Sequence, residues 1–290
     1  MTAAIARPPA GACDCHVHVF GPASDFPFDP ARSYTPGDAT LADLVRMHRG
    51  VGIARTVIVQ PSPYGTDNTC LLHALEQLAG AGRGVAVIDD ATSDVQFQAM
   101  HRAGVRGVRV NLETAGQHDP EVAWRNLARA AERVAPLGWH VQTYTNLATI
   151  AALAGALEQI PVTLVVDHFG RAQAAAGVSQ PGFDALLAAV ASGRAYVKLS
   201  AAYRISTAPD YRDAEPIARA LIDANPDRVL WGSDWPHPGS AAGAPRPVGD
   251  ITPFRQEDNA RALQRAMQWA GTAERIDKLL VENPARLYDF

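Results

Sequence analysis

Short runs of β-branched and other apolar residues recur along the chain, with longer amphipathic stretches between them. The runs at 12–19, 55–60, 84–88, 107–110, 140–144, 163–166, 195–199 and 229–232 read as eight strands. Apolar positions near the 3.6 period predict helices in the gaps, among them 41–49, 69–78, 122–134, 147–157, 183–191 and 214–224. Thr40 with Asp43 three residues on resembles a capping box for the first of these, and Gly50 follows as its stop. A last helical stretch, 258–280, closes at Asn283-Pro284. Regular strand and helix alternation implies a parallel sheet. Eight such units, with no linker between them and no glycine-rich phosphate loop after a strand, favour closure into one (β/α)8 TIM barrel over an open doubly wound sheet. The expected organisation is an α/β fold with a tail at 1–11 and a single barrel domain at 12–290.

The bulk numbers agree with that reading. With 290 residues the chain could hold two domains, but α/β barrels run to roughly 200–250 residues or more as one. Its content, 47% hydrophobic and 19% charged, is that of a globular enzyme. A net charge of −4 with no basic block argues against nucleic acid and leaves a small molecule as the expected partner, with homo-oligomerisation open. Three cysteines, two of them as close as Cys13 and Cys15, offer no disulfide framework and point to a reducing cytoplasm. The first eleven residues lack an apolar signal core, and no stretch approaches the roughly 18 apolar residues of a membrane span.

Candidate chemistry collects at strand ends, where barrels place it. The first strand reads Cys13-Asp14-Cys15-His16-Val17-His18, and period-2 alternation puts Asp14, His16 and His18 on one face. Cys13, Cys15 and Val17 fall on the other, the cysteines as small packing residues. Two later strands end in polar groups, one at Asp167-His168 and one at Ser233-Asp234. Asp14, His16, His18, His168 and Asp234 together form the expected catalytic cluster of a hydrolase. His16, His18, His168 and Asp234 could hold one divalent metal, zinc or manganese, or work without one, so no cofactor is obligatory. Arg109 sits within an apolar strand and needs a partner, for which a substrate carboxylate is suited. Serine-hydrolase chemistry is excluded by the lack of a Gly-x-Ser-x-Gly elbow. His48, His73, His101, His118 and His140 show no partner pattern and read as helix-face or loop residues, while His237 beside Asp234 stays open. The Pro-rich segments 21–38 and 236–253 read as long loops roofing the site.

The Asp-x-His-x-His opening and the Gly-Ser-Asp-Trp-Pro-His closing, spread over nearly the whole chain, resemble the amidohydrolase superfamily. Within it, Val19-Phe20-Gly21-Pro22, Phe26-Pro27-Phe28, Tyr34-Thr35-Pro36, Val59-Gln60-Pro61-Ser62 and Gly65-Thr66-Asp67-Asn68 are similar to the branch of 2-pyrone-4,6-dicarboxylate lactonase and related sugar and muconolactone lactonases. The resemblance implies an enzyme that hydrolyses a small carboxylated or sugar-type lactone. It implies that Asp234 activates water while His16, His18 and His168 polarise the carbonyl, as hydrogen-bond donors or through a metal. It also implies substrate-binding roles for Ser62, Arg109, Tyr144, Arg171 and Arg204. Metal-dependent superfamily members add a histidine from the fifth strand, where this chain has Tyr144, and Lys198 in the seventh strand reads as a structural ion pair. The branch's second arginine after Arg109 is missing from Leu112-Glu113-Thr114-Ala115-Gly116, so a monoanionic or neutral lactone fits as well as a dicarboxylate. The alternatives are a metal-dependent non-oxidative decarboxylase, which the missing fifth-strand histidine disfavours, and a lactone isomerase. A silent scaffold is disfavoured by the cost of so many buried polar groups.

Overall fold

The computed structural model describes residues 7–117, 119–239 and 247–290. Every predicted strand is present: β1 (Cys13–Val17), β2 (Arg55–Val59), β3 (Gly82–Ala86), β4 (Val105–Asn111), β5 (His140–Tyr144), β6 (Leu164–Val166), β7 (Ala195–Ser200) and β8 (Val229–Gly232). Each pairs in parallel with its successor in the chain. The continuation of β8 closes the barrel against β1, where the Asp234 N–H donates to His16 O and the His18 N–H to Trp235 O, both at 2.8 Å. The chain is therefore a (β/α)8 barrel.

Helices α1 (Leu41–Val51), α2 (Thr69–Gln77), α3 (Asp94–Ala103), α4 (Pro120–Val134), α5 (Leu147–Leu153), α6 (Phe183–Ala191), α7 (Glu215–Ala224) and α8 (Asn259–Ala270) surround the strands. Thr40 and Asp43 do form the capping box of α1, but its stop is Gly52 at φ 82°, and Gly50 lies inside the helix. Helix α3, which the periodicity did not single out, starts on a second capping box, Ser93 with Gln96. Two helices are shorter than their patterns suggest. Helix α5 stops at Leu153, just before Gly155, and the stretch read as 258–280 breaks at Gly271, whose φ of 81° suits glycine. Among the described residues no helix is long and apolar enough to cross a membrane.

Strand alternation divides the buried apolar residues into two layers. Val17, Ile58, Val108, Val141, Val166, Val197 and Trp231 face outward and pack with Leu44, Leu71, Phe97, Leu127, Leu186 and Leu221 of the helices. Cys13, Cys15, Val57, Val59, Val85, Val165, Tyr196 and Leu230 face the barrel axis. Tyr288, from the C-terminal helix Asn283–Tyr288, plugs that axis at the N-terminal ends of the strands. The opposite end is left to polar groups. There the two long loops meet, Thr35–Pro36 pairing with Ile251–Thr252 in a short parallel ladder. Residues 240–246 of the second loop lie outside the described residues.

Candidate active site

The expected face of β1 is corrected by a bulge. Asp14 pairs with Thr56 and Val17 with Ile58, so three steps on β1 oppose two on β2. The extra residue changes the phase of alternation between Cys15 and His16. Asp14 therefore points outward, while His16 and His18 point to the axis. Its carboxylate accepts the Ser233 N–H at 2.9 Å and faces His48 Nε2 of α1 at 3.2 Å. Asp14 is a structural tie across the closing seam, and His48 is its buried partner rather than a free helix-face residue. Gly232 is required at that seam, because a Cβ there would lie 2.5 Å from His16 Cβ.

Three imidazoles and one carboxylate oxygen converge on the floor of the polar end. Asp234 Oδ1 lies 3.5 Å from His16 Nε2, 3.3 Å from His18 Nε2 and 4.0 Å from His168 Nε2. Both His168 (φ 49°) and Asp234 (φ 63°) occupy the left-handed region, a strained conformation for side chains of this size that turns each back over its strand end. The other carboxylate oxygen, Oδ2, accepts Arg204 Nη2 at 2.8 Å, Arg204 Nε at 3.1 Å and the Tyr203 hydroxyl. Burial alone would raise the Asp234 carboxyl, but the Arg204 guanidinium and then His168 hold it well below the ordinary carboxylate range. Burial pushes His16 down to about 4 and His168 well below its ordinary value, so both are neutral at pH 7.

The outer nitrogens fix which lone pairs face inward. His18 Nδ1 is 2.8 Å from the Val59 carbonyl, which only accepts, so Nδ1 carries a proton and Nε2 is the nitrogen turned to Asp234. His16 Nδ1 is 3.2 Å from Asp167 Oδ1, and His168 Nδ1 is 2.8 Å from Ser200 Oγ. His16 Nε2 and Asp234 Oδ1 are both buried without a hydrogen-bond partner. Three imidazole nitrogens and a carboxylate oxygen gathered in this way are a donor set for a cation wherever Nε2 is the unprotonated nitrogen. Two overlapping groups could hold one, His16 with His18 and Asp234, and His16 with Asp167 and His168.

Above this floor opens a cavity of about 240 Å³. His18, Ser62, Arg109, Tyr144, His168 and Arg204 all line it, so six of the ten residues singled out by sequence share one wall system. His16 and Asp234 lie beneath it. Arg171 stands behind Tyr144, donating to its hydroxyl at 3.1 Å and facing Glu113 at 3.8 Å. Arg204 lines the cavity yet spends its fork on Asp234, and Arg109 turns Nε toward Asp167 at 3.3 Å. Sequence reading missed Tyr34 and Thr252, which reach the cavity from the two long loops. The Tyr34 hydroxyl is pushed up to about 12 by burial, with Arg204 and Ser62 opposing. Tyr34 had a signal in the Tyr34-Thr35-Pro36 resemblance, and Thr252 only in the Pro-rich character of its loop.

The other histidines divide by surroundings. His140, expected on a helix face or loop, is buried in β5 against the Tyr288 ring, and burial pushes it down to about 3. His101 accepts the Trp139 indole N–H at 2.9 Å, His73 lies against Phe26, and His118 lies outside the described residues. His237 is buried beside Tyr203 and takes no place on the cavity wall.

A family model described as Amidohydrolase matches residues 13–290. The chain is 39% identical to a 2-pyrone-4,6-dicarboxylate hydrolase of Comamonas testosteroni, over 97% of this chain and 90% of that protein. It is 34% identical to a 4-sulfomuconolactone hydrolase of Hydrogenophaga intermedia, over 97% and 89%. A solved structure from Pseudomonas putida, titled a putative 2-pyrone-4,6-dicarboxylic acid hydrolase, superposes with a TM-score of 0.79 at 33% identity, covering 97% of this chain and 98% of that one.

Proposed function

We propose that this chain, which belongs to the amidohydrolase family, is a hydrolase that opens the ring of a small carboxylated lactone. The observation that carries this reading is the convergence of three imidazoles on Asp234 Oδ1 beneath a cavity walled by Arg109, Tyr144, Ser62 and Tyr34. The names of the two relatives support it, both being hydrolases of lactone-type rings that carry acidic groups.

Arg109 meets the substrate's carboxylate with its terminal nitrogens, and the Ser62, Tyr34 and Tyr144 hydroxyls set the ring. Arg204 and Tyr203 hold Asp234 Oδ2, which leaves Oδ1 as the basic atom facing the reacting carbon. Water is deprotonated by Oδ1 as its oxygen bonds to the lactone carbon, and the carbonyl pair moves to oxygen. Beneath that oxygen, His16, His18 and His168 would stabilise the developing charge by a hydrogen bond where Nε2 carries a proton, or through a cation held beside Asp234. When the carbonyl re-forms, the ring C–O bond breaks and the proton on Asp234 passes to the departing oxygen. His16, His18 and Asp234 would hold one divalent cation, zinc or manganese, with His168 beside them 4.0 Å from Asp234 Oδ1, and when bound it would supply Lewis acidity at the carbonyl. Three free, buried cysteines suit a reducing cytoplasm.

The test is turnover of a panel of carboxylated lactones by the wild type and Asp234→Asn, each with and without chelator. The variant is expected to fold and bind, and to lose about 10²–10⁴-fold in kcat. Turnover retained in Asp234→Asn would sink the assignment, and release of CO₂ in place of ring opening would make the chain a decarboxylase.

A further inference from the structure

Below the floor lies a buried polar network of which only Arg109 enters these steps. Asp167, Lys198 and Gln142 are wholly buried on the barrel axis, and Arg109 is nearly so. Asp167 Oδ2 accepts Gln142 Nε2 at 3.1 Å and Arg109 Nε at 3.3 Å, while Oδ1 faces His16 Nδ1 at 3.2 Å. Lys198 Nζ donates to Gln142 Oε1 at 2.6 Å, which fixes the amide so that its nitrogen meets Asp167. The same ammonium lies 3.8 Å from Asp167 Oδ1 and 3.5 Å from His16 Nδ1.

His16 Nδ1 therefore stands between an acceptor and a donor. If it gives its proton to Asp167, Nε2 presents a lone pair to the cavity floor. If it accepts from Lys198, Nε2 carries the proton and can only donate. One site would hold a cation and the other would offer a hydrogen bond to a carbonyl. The shorter contact is to the carboxylate, whose charge also favours the Nδ1–H form.

We propose that Asp167 is the positioning residue that sets His16 as the Nδ1–H tautomer, and that Gln142 and Lys198 hold Asp167 in the orientation that does so. Gln142 and Arg109 occupy Oδ2, which leaves Oδ1 alone to face the imidazole. Lys198 gives its shortest bond, 2.6 Å, to Gln142 Oε1, and its contact with His16 Nδ1 is the longer at 3.5 Å. The cation-binding half of this inference rests on the proposed use of His16, and the tautomer half does not.

The experiment reads the ¹⁵N shifts of His16 in histidine-labelled, chelator-treated protein, together with zinc affinity by competition with a chromophoric chelator. In the wild type, Nδ1 is expected at a protonated shift and Nε2 at a lone-pair shift. Asp167→Asn is expected to move the population toward Nε2–H and to weaken zinc about 10–100-fold. Lys198→Met removes the competing donor and is expected to keep the wild-type tautomer. A wild-type spectrum with Nε2–H, a tautomer lost in Lys198→Met, or an Asp167→Asn variant unchanged in tautomer and zinc affinity would each overturn the proposal. If Asp167→Asn does not fold, the wild-type and Lys198→Met spectra still decide it. Both are read without substrate, so a failed lactone screen leaves this test standing.

Discussion

Replacing Gly232 by alanine should separate the closing seam and displace His16. The added Cβ would lie 2.5 Å from His16 Cβ and 2.8 Å from His16 N. Carbon atoms rest at about 3.5–4.0 Å, so the strands must part by about 1 Å. Neither obstructing atom belongs to the far end of a flexible side chain, so no rotamer relieves the clash. Overpacking of this kind costs about 1–3 kcal/mol. A shift of about 1 Å in a reacting group costs about 100-fold in rate, and the seam bond from Asp234 N–H to His16 O joins both ends of the displaced cluster. Urea unfolding gives the first quantity, and kcat/KM on a lactone turned over by the wild type gives the second. Gly50→Ala is the control. It sits inside α1 with no atom within 4 Å of a new Cβ and should gain up to about 1 kcal/mol with activity unchanged. Wild-type stability and turnover in Gly232→Ala would refute both the tight seam and the dependence of the reaction on His16.

Two further outcomes follow from named groups. His140 has a folded value of about 3, below the ordinary histidine value, so its contribution to stability is complete above about pH 6.5 and is lost as pH falls toward 3. His140→Leu should flatten the stability slope between pH 6.5 and 4 by up to about 1.4 kcal/mol per unit, and equal slopes in variant and wild type would refute this. Arg109→Met should raise KM for a carboxylated lactone about 10–100-fold while sparing its neutral methyl ester, and equal losses on acid and ester would remove Arg109 from carboxylate recognition.

The barrel was legible because each strand is a compact apolar run and the helices between them keep a 3.6 period. Helix ends were less so, since Gly271 acts through backbone conformation and not through pattern. In the site, His16, His18, His168 and Asp234 were readable as polar residues at the ends of apolar strands. Asp14 was misplaced because alternation assumes an unbroken ladder, and nothing in Cys13-Asp14-Cys15-His16 announces a bulge. Asp167, one position before His168, and Gln142, two before Tyr144, were passed over because their partners are Lys198 and Arg109, remote in sequence and adjacent only across the axis. Arg171 looked like a cavity residue by its distance from His168, but the left-handed turn through Phe169 and Gly170 carries it behind Tyr144.

The seam between β1 and β8 also dictates when a ribosome-bound chain can first carry this chemistry. His16 and His18 are made more than two hundred residues before Asp234, and Asp14 holds Ser233 across 219 positions. A nascent chain displaying seven strands already holds all three imidazoles that converge on Asp234, yet has no floor to place them on until Val229–Gly232 emerges and the circle shuts. The reactive cluster is thus withheld from every truncated or half-made product. Opening that single junction would part His16 from Asp234 even with the remaining β/α units still folded.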